Sequence, residues 1–366
     1  MRYTQTFIKL SYLIIIVFLG CKTSNKKESE NKDTAQKEFI KKEEAIQNPL
    51  ITHMYTADPS AHVFNGKLYI YPSHDIESTV TNDEEGNHFN MKDYHVFSMD
   101  SIPGEVIDYG KALDVKQVAW AKKQLWAPDA AEKNGTYYLY FPAKDSENIF
   151  RIGVATSKKP TGPFTPLPNP IPGSFSIDPS VFKDNDGSYY MYFGGIMGGQ
   201  LQRWTTGVYL PKDEYPANDS AALSPKIAKL ATDMVHFETP PKDVQILDKE
   251  GNPIRTGDHD RRFFEAAWMH KYQGKYYFSY STGDTHKIVY ATATNPYGPF
   301  TYQGVILKPV IGWTNHHSIV KYKGKWYLFY HDSSLSNGQT HLRCVKVVEL
   351  HYNTDGSIQT IDPLLK

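Results

Sequence analysis

The sequence predicts an all-β fold, a five-bladed β-propeller, on three observations. Beyond residue 48, turn signals alternate with short aromatic strands, and no long segment keeps a helical period. Strand-favouring aromatics are abundant, with 26 Tyr, 18 Phe and 6 Trp. One pattern recurs five times: a head position, a short apolar strand, a turn containing glycine and a second, aromatic strand. A two-sheet sandwich gives no reason for fivefold repetition, whereas a propeller is made of it.

The N-terminus precedes that pattern. Arg2 and Lys9 lead into the apolar run "YLIIIVFLGC". The run is too short and too close to the N-terminus for an ordinary spanning helix, and it has the form of an export signal. It ends at Gly20-Cys21, and residues 1–21 resemble a bacterial lipoprotein signal in which Cys21 carries the lipid. Residues 22–48 are charged and nearly free of large apolar groups, which predicts a solvated tether. The expectation is an exported chain, held to the bacterial cell envelope by lipid and touching the membrane only through it. Residues 49–366 then form a single propeller domain. The only other cysteine, Cys344, sits in an alternating strand and reads as a buried thiol, so no internal disulfide is expected.

The five repeats are "DPSAHVFNGKLYIYPS" from Asp58, "APDAAEKNGTYYLYFPA" from Ala127, "DPSVFKDNDGSYYMYFGG" from Asp178, "EAAWMHKYQGKYYFSYSTG" from Glu265 and "HHSIVKYKGKWYLFYHD" from His316. Their heads are 69, 51, 87 and 51 residues apart. About 50 residues fits one four-stranded blade, and the longer gaps fit a blade plus insertions. The largest insertion is expected between residues 205 and 262, as an elaborated loop over one face. A second repeat, "VATSKKPTGPF" and "YATATNPYGPF", lies further out in two of the units.

The inner strand of each blade lines the propeller axis, so the five heads converge at one central mouth. Asp58, Asp178 and Glu265 bring three carboxyl groups there, with His316 beside them. Such a gathering is costly unless it is solvated, paired or used. Two carboxyl groups are the minimal equipment for cleaving a glycosidic bond: one protonates the leaving oxygen, the other attacks or activates water. A third can hold the acid's pKa up by like-charge repulsion. Aromatic walls suit sugar faces. Lys+Arg and Asp+Glu both number 40, so no basic surface argues for nucleic acid as a partner. Asp129 also follows a proline, but two places past its head, and reads as structural.

The stretches "TADPSAHVF", "LWAPDAAEKNGTYYLYF", "SIDPSVFKDNDGSYYMYF", "FFEAAWMHKYQGKYYFSYSTG" and "TNHHSIVKYKGKWYLFYH" together resemble glycoside hydrolase family 43, in order and over nearly the whole of residues 49 to 350. The resemblance implies a five-bladed propeller that hydrolyses xylose- or arabinose-containing oligo- or polysaccharides with inversion, as a β-xylosidase or α-L-arabinofuranosidase. It makes Asp58 the general base, Asp178 the carboxylate that tunes and orients the acid, and Glu265 the general acid. Base and acid should then stand roughly 6.5–9.5 Å apart to admit a water. It also implies a substrate contact at Arg343 and a cation, often calcium, near His316, although one histidine is weak chemistry for an oxygen-seeking ion. No cofactor is needed for the reaction itself. Trp126 is a candidate stacking wall, and His74 a further substrate-binding candidate. Two alternatives stay open: a propeller glycosidase for another glycan, such as an algal galactan, and a non-catalytic glycan-binding lipoprotein.

Overall fold

The computed structural model describes residues 48–364. The proposed lipidation site Cys21, its signal and nearly all of the tether lie outside them. Five antiparallel sheets follow one another in chain order. Blade I holds β1 (Tyr55–Phe64), β2 (Lys67–Asp75), β3 (Asp93–Met99) and β4 (Val106–Asp114). Blade II holds β5 (Asp129–Lys133), β6 (Thr136–Lys144), β7 (Phe150–Ser157) and β8 (Thr165–Pro166). Blade III holds β9 (Ser180–Lys183), β10 (Tyr189–Phe193), β11 (Lys226–Lys229) and β12 (Lys242–Asp243). Blade IV holds β14 (Glu265–Tyr272), β15 (Lys275–Ser281), β16 (Ile288–Ala293) and β17 (Phe300–Leu307), with β13 (Ile246–Leu247) added in parallel to β17. Blade V holds β18 (His317–Tyr322), β19 (Lys325–Asp332) and β20 (Cys344–Leu350).

The predicted hairpins are the first two strands of each blade. At Asn65-Gly66 and Asn134-Gly135 both central residues have positive φ, the turn whose twist matches that of the flanking strands. Asn and Gly tolerate that conformation best, so the turn residues set the register that buries one face of each strand. The outer repeat is also realised: Phe164 and Phe300 each follow a matching Gly-Pro turn and are buried in the core.

The 205–262 segment differs from its expectation. It is not one elaborated loop, because β11, β12 and β13 lie within it and two of them complete blade III. Strands of two to four residues are too short to show a period-2 apolar signal, although Ile227 and Ala228 of β11 are fully buried. The insertion proper lies between β10 and β11.

The chain ends stitch the ring. Leu50 donates its N–H to the Val345 carbonyl (2.8 Å), and Thr56 donates to the Arg343 carbonyl (2.9 Å), so the entry to blade I lies against β20. Blade V also contains a buried ion pair. Lys346 Nζ lies 2.6 Å from Asp332 Oδ2, with both side chains almost fully out of water. The Cys344 thiol donates to the other Asp332 oxygen (3.0 Å), and burial pushes that thiol up to about 11, leaving it inert. Removing one partner of a buried pair strands the other charge. Lys346→Ala is therefore expected to lower stability by about 3–5 kcal/mol in urea unfolding. A loss below about 1 kcal/mol, the surface-pair range, would show that the pair is not the tie described.

Candidate active site

The heads meet at the axis. Asp58, Ala127, Asp178, Glu265 and His316 all line one cavity of about 470 Å³. Ala127 contributes no polar group, so the fifth corner is open space rather than charge. Backbone irregularity aims the carboxyl groups. The β1–β2 ladder breaks register between Ala57 and Ser60, and the β14–β15 ladder does so between Glu265 and Trp268. Both bulges carry a left-handed residue, Asp58 (φ 49°) and Ala266 (φ 62°), and Asp178 has the same conformation (φ 56°) just before β9. A bulge turns a side chain out of the alternating pattern, which is how inner-strand residues reach the mouth instead of the core.

Asp58 sits in a full set of donors. Arg343 Nη1 bonds its Oδ1 (2.9 Å) and the Ser73 hydroxyl its Oδ2 (2.7 Å). Its own N–H donates to His331 Nδ1 (3.0 Å), and the other ring nitrogen, Nε2, lies 3.1 Å from the Thr314 carbonyl. Burial alone would raise the Asp58 carboxyl, but the Arg343 charge outweighs it and holds Asp58 well below the usual carboxylate range. The other two groups go the opposite way. Burial, then the Asp58 charge, pushes Glu265 up to about 8. Burial together with repulsion from Glu265 and Asp58 raises Asp178, against the Ala266 N–H that donates to it (2.8 Å). Near neutrality Asp58 is ionised, while the Asp178–Glu265 pair retains a proton. Asp178 holds the backbone amide next to Glu265, so it orients its neighbour through the main chain.

Residues 46–358 match the sequence profile of glycosyl hydrolases family 43. This chain belongs to that family. It is 60% identical over 324 residues to the xylosidase/arabinosidase 43A of Humicola insolens, covering 86% of this chain and 99% of the relative. It is 58% identical over 314 residues to a xylosidase/arabinosidase of Bacteroides ovatus, covering 86% and 97%. Among solved structures, a family 43 β-xylosidase/α-arabinofuranosidase from a compost microbial metagenome, in complex with xylotriose and in a calcium-free form, superposes with a TM-score of 0.86. It shares 67% sequence identity, over 87% of this chain and 98% of that one.

The remaining residues of this family 43 site fall into place unevenly. Trp126 walls the cavity, its indole N–H fixed to the Phe89 carbonyl (2.8 Å). The β2–β3 loop presses on it so closely that a Cβ at Gly86 would lie 2.6 Å from the indole. Arg343 is buried rather than a surface ion-pair residue, and it lines the cavity. Its fork grips Asp75 through Nε and Nη2 (both 2.8 Å), and Nη1 serves Asp58 and Thr314. His74 lies outside the cavity: strand alternation turns it away from Ser73 and Asp75 and onto Asp93. Asp129 is indeed an internal tie, accepting from Ser60, His62 and the Val181 amide across three blades.

His316 Nδ1 stands 3.7 Å from both Asp58 and Asp178, too far for a hydrogen bond, and burial lowers it to about 4, so the ring is neutral. A neutral imidazole can offer a lone pair to a cation. It is a single nitrogen, however, and the Asp129 oxygens nearby are already taken. The donor set therefore fits a water-held ion rather than a calcium cage.

Asp75, His331, Ser73, Thr314 and Phe89, whose ring lies 4.9 Å from the Arg343 guanidinium, were not singled out by sequence reasoning. The signal for two of them was present: "YPSHD" places Ser73 and Asp75 on one face by alternation. His331 stands next to last in the fifth repeat, in the equivalent "YHD". The opposite proton states predict a pH profile. The kcat/KM should hold through neutral pH and fall above about 8 as the Asp178–Glu265 pair loses its proton. Asp178→Asn removes a like charge, so Glu265 loses its proton more easily and the basic limb should move to lower pH. A basic limb that stays in place would exclude this coupling.

Proposed function

We propose that this family 43 chain is an inverting glycosidase that releases xylose or arabinose from xylose- and arabinose-containing glycans. The feature that carries the reading is a pair of carboxyl groups on one cavity driven in opposite directions, Asp58 held down by Arg343 and Glu265 pushed up to about 8 by burial and the Asp58 charge. Asp58 takes a proton from a water whose oxygen bonds to the anomeric carbon. Glu265 gives its proton to the glycosidic oxygen as that bond breaks. The water arrives on the face opposite the leaving group, so the anomeric configuration inverts. Solvent then returns the proton from Asp58 to the bulk and reloads Glu265. Asp178 keeps Glu265 protonated and in place, and Trp126 offers a sugar a stacking wall. The relatives' activities on xylosides and arabinosides support this choice of sugar.

The cavity walls support action at chain ends. Glu85 of the β2–β3 loop is ion-paired with Arg203, which follows Met197–Gly199 of the facing wall, and Asp213 holds Arg203 from behind (2.6 Å). Walls tied to each other make a pocket rather than a through-groove. A cation at His316, if calcium or another ion is held there, supplies a fixed positive charge beside the carboxylates. No step of the reaction passes through it. The localisation reading is likewise a proposal: export, with a lipid on Cys21 as the sole attachment to the envelope membrane.

Nitrophenyl β-D-xyloside and α-L-arabinofuranoside should both be cleaved, with the first product in NMR carrying the inverted anomeric configuration. Glu265→Gln should abolish turnover and leave sugar binding intact. Retention of configuration would sink the water-activating role of Asp58. Activity on galactans alone would move the substrate class, and a wild type as inert as Glu265→Gln would leave a glycan-binding protein. For the anchor, labelled palmitate should enter the chain expressed in a bacterial host and fail to enter Cys21→Ala; equal labelling of both would refute it.

A further inference from the structure

Outside the active cavity, blade I carries a second cluster of metal-ligating side chains. His74 on β2 and Asp93 and His95 on β3 each bring a ligand atom within 4.8 Å of the other two. The three are partly or fully buried yet reachable from solvent, with side-chain exposures of 21%, 12% and 16%. They are the only such His/Cys/Asp/Glu group among the described residues.

The surroundings have the form of an outer shell. His95 Nδ1 is bonded to Asp108 (3.1 Å), which leaves Nε2 with the free lone pair. Asp108 is itself fixed by the Gly110 amide (2.7 Å) and by His53 Nε2 (3.0 Å). Lys111 Nζ holds Asp93 Oδ2 (2.7 Å) and is anchored by Asp114 (2.8 Å), so Oδ1 is the oxygen that faces His74 Nδ1 (2.5 Å), and an ion between the two would replace that hydrogen bond. The β3–β4 ladder breaks register on both sides of His95, an irregularity that re-aims a side chain at a strand edge.

The place matters. β2 and β3 are paired only from Leu68 to Ile70 against Phe97 to Met99. At His74 and Asp93 the ladder has already opened, and the loop that leaves there returns through Asn82–Phe89 to form one wall of the active cavity. Two imidazoles and one carboxylate suit a late first-row divalent ion and suit calcium poorly, because calcium takes oxygen. We propose that His74, Asp93 and His95 form a binding site for such an ion, with zinc as the natural probe, clamping the root of the cavity loop. The site is independent of any cation at His316.

The test is calorimetric titration of zinc into the full chain without a polyhistidine tag, beside thermal melts with and without zinc. Wild type should bind zinc at one site and melt higher in its presence, because a ligand of the folded state alone stabilises it. His316→Ala should keep that site. His74→Gln/His95→Gln should lose both the heat and the shift while keeping its zinc-free melting point, and Asp93→Asn should weaken binding at least tenfold. Cobalt should give the visible spectrum of a nitrogen–oxygen site in wild type and not in the double variant. Zinc binding unchanged in the double variant, lost in His316→Ala instead, or absent from wild type would each overturn the assignment.

Discussion

The shared grip of Arg343 on Asp58 and Asp75 is the interaction on which the rest depends. Three charges lie out of water here, one positive and two negative. Charge buried this way persists only when paired and hydrogen-bonded, and the bidentate fork to Asp75 supplies that. The arrangement leaves one surplus negative charge at the axis. That surplus adds to burial in making ionisation of Glu265 or Asp178 costly in the same space, so the pair retains a proton although Arg343 itself pulls both groups down. Acid and base are thus assigned by one guanidinium shared unequally among the carboxyl groups.

The same contact closes the ring. Asp58 and Asp75 belong to blade I, whereas Arg343 introduces the last strand of blade V. Its backbone carbonyl takes the Thr56 amide, and its own amide donates to Asp75. Where a propeller's first and last blades meet, shape alone leaves a seam. Here the seam is drawn together by the groups that set the proton inventory of the pocket, so ring integrity and acid–base readiness cannot be tuned separately.

Much of this was legible in the residues. Five hairpins with turn glycines announce five blades, and the head positions announce which side chains meet, because the inner strands must converge. Other features were not. A bulge is one extra residue in a ladder and leaves no mark on hydrophobic period, so the left-handed Asp58 and Ala266 were invisible. Arg343 stands in "THLRC" with nothing nearby to say that its partners lie 268 and 285 positions earlier. His74 misled because a histidine draws the eye, while alternation gave the inward face to Ser73 and Asp75. The short strands β11 and β12 of blade III span too few residues to write a pattern.

The left-handed backbone at Asp58 and Asp178 has an evolutionary consequence. Among residues with a side chain, aspartate and asparagine tolerate that conformation best. Asparagine keeps the shape and part of the hydrogen bonding while giving up the charge, and a single nucleotide separates the two codon families. Most substitutions at these positions would therefore damage the backbone as well as the chemistry, but one leaves a well-folded, sugar-shaped pocket that cannot cut. A propeller built this way lies one mutational step from a lectin, and the step runs equally well in reverse.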